Sequence, residues 1–121
     1  MALTTYRDLD VWQVAMDLVE SVYRATEVMP TQEKYGLTSQ VQRAAVSVPS
    51  NIAEGYGRLH RGDYLRHLSI ARGSLMEVET LITLTVRLGL LQREAIVPVW
   101  DQAQRVGMML NKLIDSLNPR T

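Results

Sequence analysis

The sequence has no cysteine, no phenylalanine and only four prolines in 121 residues. The missing cysteine excludes disulfides, thiolate nucleophiles and cysteine-ligated metals, and fits a reducing cytoplasm. No apolar run approaches the roughly 18 residues of a membrane span, so no membrane association is expected. The start, MALTTYRDLD, has neither a basic stretch nor an apolar one behind it, and does not read as a secretory signal. Net charge is also missing: the formal total is zero. That argues against indiscriminate nucleic-acid binding, which depends on a large positive excess.

The balance is uneven along the chain. Residues 41–73 carry Arg43, Arg58, Arg61, Arg66 and Arg72 against only Glu54 and Asp63, whereas residues 1–40 hold twice as many acids as bases. A local anion site in the middle of the chain is therefore compatible with a neutral whole.

What is present is helical periodicity. From Leu9 to Ala25 two apolar stripes run side by side: Val11, Ala15, Leu18, Val22, Ala25, and Leu9, Trp12, Met16, Val19, Tyr23. Met29-Pro30-Thr31 ends this helix, with Thr31 placed to cap the next. The second helix runs through Leu37, Val41, Ala45, Val48, Ile52 and Tyr56, with Pro49 inside it. A kink is expected there, because proline removes one backbone hydrogen bond and presses on the Ala45 carbonyl. Asp63 is placed to cap a third helix carrying Tyr64, Leu68, Ala71, Leu75, Val78 and Ile82, which ends near Gly89. The fourth reads Ile96, Trp100, Ala103, Gly107, Leu110, Ile114 and Leu117, with Val99, Val106 and Leu113 as a second stripe. Asn118-Pro119 stops it.

These patterns predict one all-α domain over residues 1–121, with helices at about 8–28, 32–58, 63–88 and 93–117. Joined by short turns, they pack as an up-down-up-down antiparallel four-helix bundle. The apolar faces of helices one and four are wider than a bundle core requires, which points to a subunit interface in a homo-oligomer.

Chemistry is harder to find. Di-iron bundles need Glu-x-x-His pairs, and no glutamate here has histidine three residues on. His60, Asp63 and His67 imitate a two-histidine, one-carboxylate metal site. However, Gly62 interrupts the set, and Asp63 serves better as a cap. Gly55-Tyr56-Gly57 lacks the strand and the remaining glycines of a phosphate loop. Gly73-Ser74 has no nucleophile-elbow setting. No catalytic residue, metal or cofactor is expected. The stretch from Gln40 to Gly55 also imitates a helix-turn-helix, with a Val-centred turn before Ser50-Asn51-Ile52-Ala53. A kinked bundle helix explains the same residues.

Two constellations remain. Arg43, Ser47, Asn51 and Glu54 follow helical spacing down helix two. An antiparallel turn near residues 60–61 sets Ser47 and Ser50 opposite Ser69, Arg72 and Ser74. A charge in such a seam must be paired, so Arg72 is expected to be buried against Asn51 or Glu54 as part of a register-fixing polar network. The second set is Arg58, His60, Arg61, Arg66 and His67, a basic cluster around the turn between helices two and three. It is the candidate surface for RNA, DNA or a nucleic-acid-processing protein. A purely protein partner is the competing reading.

Three strings carry a family resemblance: Arg7-Asp-Leu-Asp-Val-Trp-Gln-Val-Ala-Met, the long run from Leu37 through Asn51-Ile-Ala-Glu-Gly to Arg58, and Ile70-Ala-Arg-Gly-Ser-Leu-Met-Glu-Val-Glu79. They closely resemble the four-helix-bundle family encoded in 23S ribosomal RNA intervening sequences. That family in turn resembles the accessory variability protein of diversity-generating retroelements. The resemblance implies a ring-shaped homopentamer with no known enzymatic activity. For the retroelement relatives it also implies binding to nucleic acid and to reverse transcriptase. Those relatives look strongly basic, whereas this chain is neutral.

Overall fold

The computed structural model describes residues 5–117. Four α-helices make up the architecture: α1 (Asp10–Ala25), α2 (Leu37–Tyr56), α3 (Arg61–Arg87) and α4 (Arg93–Leu117), with no strand among the described residues. α1 packs mainly against α2 and α4, and α3 packs mainly against the same two helices. Side-chain contacts give the sense of two pairings. Ser47 meets Ser74 and Asn51 meets His67, so α2 and α3 run antiparallel. Gln104 meets Glu79 and Gly107 meets Leu75, so α3 and α4 do as well.

The core follows the apolar stripes. Leu18, Ile52, Leu68, Leu75 and Leu110 are fully buried, with Val22, Val41, Val48, Val78, Val99 and Val106 packed among them. Each such side chain contributes about 1.5–3 kcal/mol by leaving water. The second stripe of α1 and the flank of α4 behave differently. Met16, Tyr23, Val97, Trp100 and Met108 stay exposed, as do Ile70, Met76 and Leu84 of α3. The expectation of apolar surface left over from the core on helices one and four therefore holds, and α3 adds more.

Local chemistry explains the boundaries, and several differ from expectation. The chain enters α1 through a short 3-10 turn, Tyr6–Asp8, where Thr5 Oγ1 accepts the Arg7 N–H at 2.9 Å and the Thr5 N–H donates to the Asp8 carboxylate at 3.1 Å. α1 ends where the Thr26 hydroxyl bonds the Val22 carbonyl at 2.8 Å, and Gln42 ties that hydroxyl to α2 at 3.1 Å. Thr31 does not cap α2. Residues Thr31–Glu33 form a separate 3-10 turn, and α2 begins at Leu37 after Gly36, five residues later than expected. Glu33 takes over the capping role by accepting the Leu37 N–H at 3.2 Å.

α2 then runs unbroken through Pro49 to Tyr56. This overturns the helix-turn-helix reading, because the residues that would form its turn are helical. Asn51 Nδ2 bonds the Ser47 carbonyl at 2.9 Å. Asp63 does not cap α3 either. His60, in extended conformation, precedes a helix that starts at Arg61, and Asp63 lies within its first turn, where a carboxylate complements the dipole. At the other end Gly89, at φ +75°, closes α3 as expected. The Gly89 N–H reaches the Val86 carbonyl at 3.0 Å and the Leu90 N–H reaches Thr85 at 2.9 Å. The expected stop at Asn118-Pro119 lies outside the described residues.

Candidate nucleic-acid interface

The turn between α2 and α3 brings most of the basic cluster to one end of the helix pair. Arg58, His60 and Arg61 are exposed in or beside the turn, and Arg66 is exposed one turn further along α3. Their side chains make no hydrogen bond or ion pair among the described residues. Three guanidinium groups and an imidazole thus face solvent with their donors uncommitted. Such an array suits phosphate or carboxylate oxygens.

His67 does not belong to this surface. It is only 6% exposed and faces the α2–α3 seam, where Nδ1 lies 3.0 Å from Asn51 Oδ1. The neighbouring bonds assign the proton. The Ser47 carbonyl only accepts, so the Asn51 amide nitrogen must face it, at 2.9 Å, with Ser47 Oγ at 3.0 Å. The Asn51 oxygen then faces the ring, and His67 Nδ1 is the donor. Ser47 and Ser74 share a hydrogen bond of 2.7 Å, which completes the chain from helix to helix. Glu54 Oε2 is 3.7 Å from His67 Nδ1 but is 61% exposed, so its attraction is largely screened. His67 Nε2 is buried without a partner.

The expected polar network is thus present with different members. Ser47 and Asn51 hold their places, Glu54 touches its edge, and Ser74 sits opposite Ser47 as the register required. Arg43 and Arg72 are exposed instead. Arg72 lies one position outside the seam, between the buried Ala71 and the exposed Gly73, so its long side chain reaches water more cheaply than it reaches Asn51. The histidine was the missed member. Its position was legible, since residue 67 falls three after Tyr64 and four before Ala71 on the inward face of α3. The metal reading dissolves with it, because His67 is turned inward while His60 faces solvent.

Gly55 explains how the network closes. A Cβ there would lie 2.8 Å from the His67 Cβ and 2.9 Å from Tyr64 Cδ1, so only glycine allows this approach. Beside it Tyr56 and Tyr64 meet edge to face at 6.1 Å. Burial, and then the neighbouring Tyr56, push the Tyr64 hydroxyl above its ordinary range. On the far flank, burial raises the Glu79 carboxyl, and a hydrogen bond from Gln104 partly offsets it.

Open apolar grooves flank the helices among the described residues, and two of them lie on different flanks. One lies between α1 and α2 and is lined by Trp12, Met16, Val46 and Pro49. The other lies between α3 and α4 around Met76, Leu84 and Trp100. Among the described residues no helix is long and apolar enough to cross a membrane, and no group of His, Asp and Glu is placed to hold a metal.

The sequence matches the profile of the 23S rRNA-intervening sequence proteins over residues 7–112. The chain belongs to that family. A crystal structure of a protein with unknown function from the S23 ribosomal protein family, from Bacteroides thetaiotaomicron VPI-5482, superposes with a TM-score of 0.78. It is 22% identical, and the alignment covers 87% of this chain and 98% of that one. At that identity the likeness speaks for the shared fold. No curated protein matches the chain.

Proposed function

We propose that this family member is the subunit of a non-enzymatic ring, a homopentamer of up-down-up-down bundles with α2 bent at Pro49. In this reading the ring binds nucleic acid, free or within a ribonucleoprotein, through Arg58, His60, Arg61 and Arg66. The observation that carries the binding half is that these four side chains are exposed and unpaired around a single turn. The two grooves support the assembly half. They lie on different flanks, and an interface that joins unlike surfaces closes into a ring when its rotation permits. Repetition around a ring offsets the neutral net charge, because several weak sites acting together gain avidity that one copy lacks.

Light scattering coupled to size exclusion tests the assembly. A monodisperse species near 13.7 kDa at micromolar concentration would remove it. Fluorescence anisotropy with labelled RNA and DNA tests the binding, with wild type beside Arg58→Glu/Arg61→Glu/Arg66→Glu. Affinity should fall steeply with salt, with about −0.9 in log–log slope for each duplex phosphate neutralised. The triple change should abolish binding. Absence of binding at about 50 mM salt, where phosphate attraction is strong, or indifference to the triple change would leave a protein-only scaffold as the better reading.

A further inference from the structure

Leu59 is 96% exposed, the most open large apolar side chain among the described residues. It stands in the turn itself, between Arg58 and the pair His60 and Arg61. The turn is well held. The Gly57 and Arg58 N–H groups bond back to the Ala53 and Gly55 carbonyls at 3.1 and 3.0 Å, and the Tyr64 N–H bonds the His60 carbonyl at 3.1 Å. Behind it, Gly55 is seated against Tyr64 and His67. Leu59 is therefore an apolar prong on a braced mount, and ordering it against a partner costs little extra entropy.

Arginines that only neutralise phosphates would leave this leucine in water, and a purely electrostatic surface has no use for it. A partner that covers Leu59 together with its unpaired arginine neighbours offers anionic oxygens and an apolar face within one side chain's reach. An unstacked nucleobase beside its own phosphate does so. We infer that Leu59 packs against an exposed base, and that the basic turn takes nucleic acid with open base faces, a single strand, loop or bulge, in preference to uninterrupted duplex. In continuous duplex the base faces are stacked shut and a wedge must first separate them; in single strands they are free to be covered. This inference rests on the nucleic-acid reading above and specifies its ligand.

The test is anisotropy with the full-length chain at about 50 mM salt, where non-specific contacts remain strong. The probes are a single-stranded RNA, the DNA of the same sequence, a hairpin with an open loop and a blunt duplex. Wild type should favour the open forms over the duplex by about tenfold, the scale set by covering one leucine. Leu59→Ser should remove that preference while leaving duplex affinity and salt dependence nearly unchanged, and Leu59→Phe should keep it. Size exclusion and circular dichroism of each variant confirm an intact assembly. Equal wild-type affinity for open and duplex forms, or a Leu59→Ser protein that keeps the preference, overturns the inference while the basic-turn reading survives. Loss of all binding sensitivity to the triple arginine change overturns that reading instead. Leu59-dependent binding to vesicles of phosphatidylserine and phosphatidylcholine, with no binding to any nucleic acid, overturns both.

Discussion

α3 is shared between two seams of opposite character. Against α2 it meets small residues, Ala44 and Gly55, and a directional chain of bonds from Ser74 through Ser47 and Asn51 to His67. Against α4 the packing is mainly apolar: a Cβ added at Gly107 would lie 3.4 Å from Leu75 Cδ2, an open groove surrounds Trp100 nearby, and the Gln104–Glu79 hydrogen bond sits at the seam's outer edge. Apolar contact is non-directional and tolerates small slips. Buried hydrogen bonds do not, because a slip leaves donors unpaired. The α2–α3 seam is thus suited to set register and to hold the basic turn steady, while the α3–α4 seam supplies area.

The sharpest way to break this comparison is to add one carbon to each seam. At Gly55 that carbon meets two side chains below 3.0 Å and the Tyr64 carbonyl at 3.2 Å, so the helices must move apart. Overpacking of this kind costs about 1–3 kcal/mol, more than the gain of up to about 1 kcal/mol in helix propensity. Gly55→Ala should therefore lower the midpoint of thermal unfolding by several degrees, at roughly 3–6 °C per kcal/mol for a domain this size. Gly107→Ala meets only the flexible end of Leu75 and should stay within about 0.5 kcal/mol of wild type. Equal losses at the two sites would mean that the seams do not differ.

The hydrogen bonds can be removed in the same paired fashion. Asn51→Ala strands the buried His67 Nδ1–H and frees Ser47, at a cost of about 1–3 kcal/mol. In the other seam Gln104→Ala removes a bond to the part-buried Glu79 on an exposed position, and should change urea stability by less than about 0.5 kcal/mol. A smaller effect of opposite sign is expected at Gly73. It is exposed within α3 and a Cβ there meets nothing within 4 Å, so Gly73→Ala should stabilise by about 0.5–1 kcal/mol through helix propensity. If Gly73→Ala also lowers the assembled mass, that open space is where another copy approaches.

Much of this contrast was legible in the residues. The apolar stripes located all four helices, since a period near 3.6 survives whatever the partners are. The antiparallel register placed Ser47 opposite Ser74, because only one turn separates the two helices. Helix starts were less legible. Thr31 and Asp63 looked like caps by type, but the 3-10 turn at Thr31–Glu33 satisfied the first locally, and α3 gained one more turn of hydrogen bonds by starting at Arg61. The members of the polar seam were misassigned for a different reason. A charge suggests a buried pair for Arg72, whereas position sets Arg72 outside the seam and puts the His67 Nδ1–H donor on the inward face. Leu59 was invisible as a site, because one leucine in a basic turn has no periodicity to reveal it.

Arg72 therefore gives the smallest expected effect and the most direct check on that lesson. A buried arginine in the seam would cost about 3–5 kcal/mol when truncated, through the partner charge left unpaired. In the structure Arg72 is exposed and its side chain makes no hydrogen bond or ion pair among the described residues. Surface changes away from caps and networks stay within about 0.5 kcal/mol, and alanine, if anything, helps an exposed helical position. Arg72→Ala should thus leave the urea midpoint and its slope unchanged, in parallel with Asn51→Ala as the seam control. Sensitivity to protein concentration separates the two ways this expectation can fail. A destabilisation above 1 kcal/mol that persists when the protein is diluted would return Arg72 to the seam. One that appears only at concentrations where the assembly forms would place it between copies, since stability tied to association follows mass action.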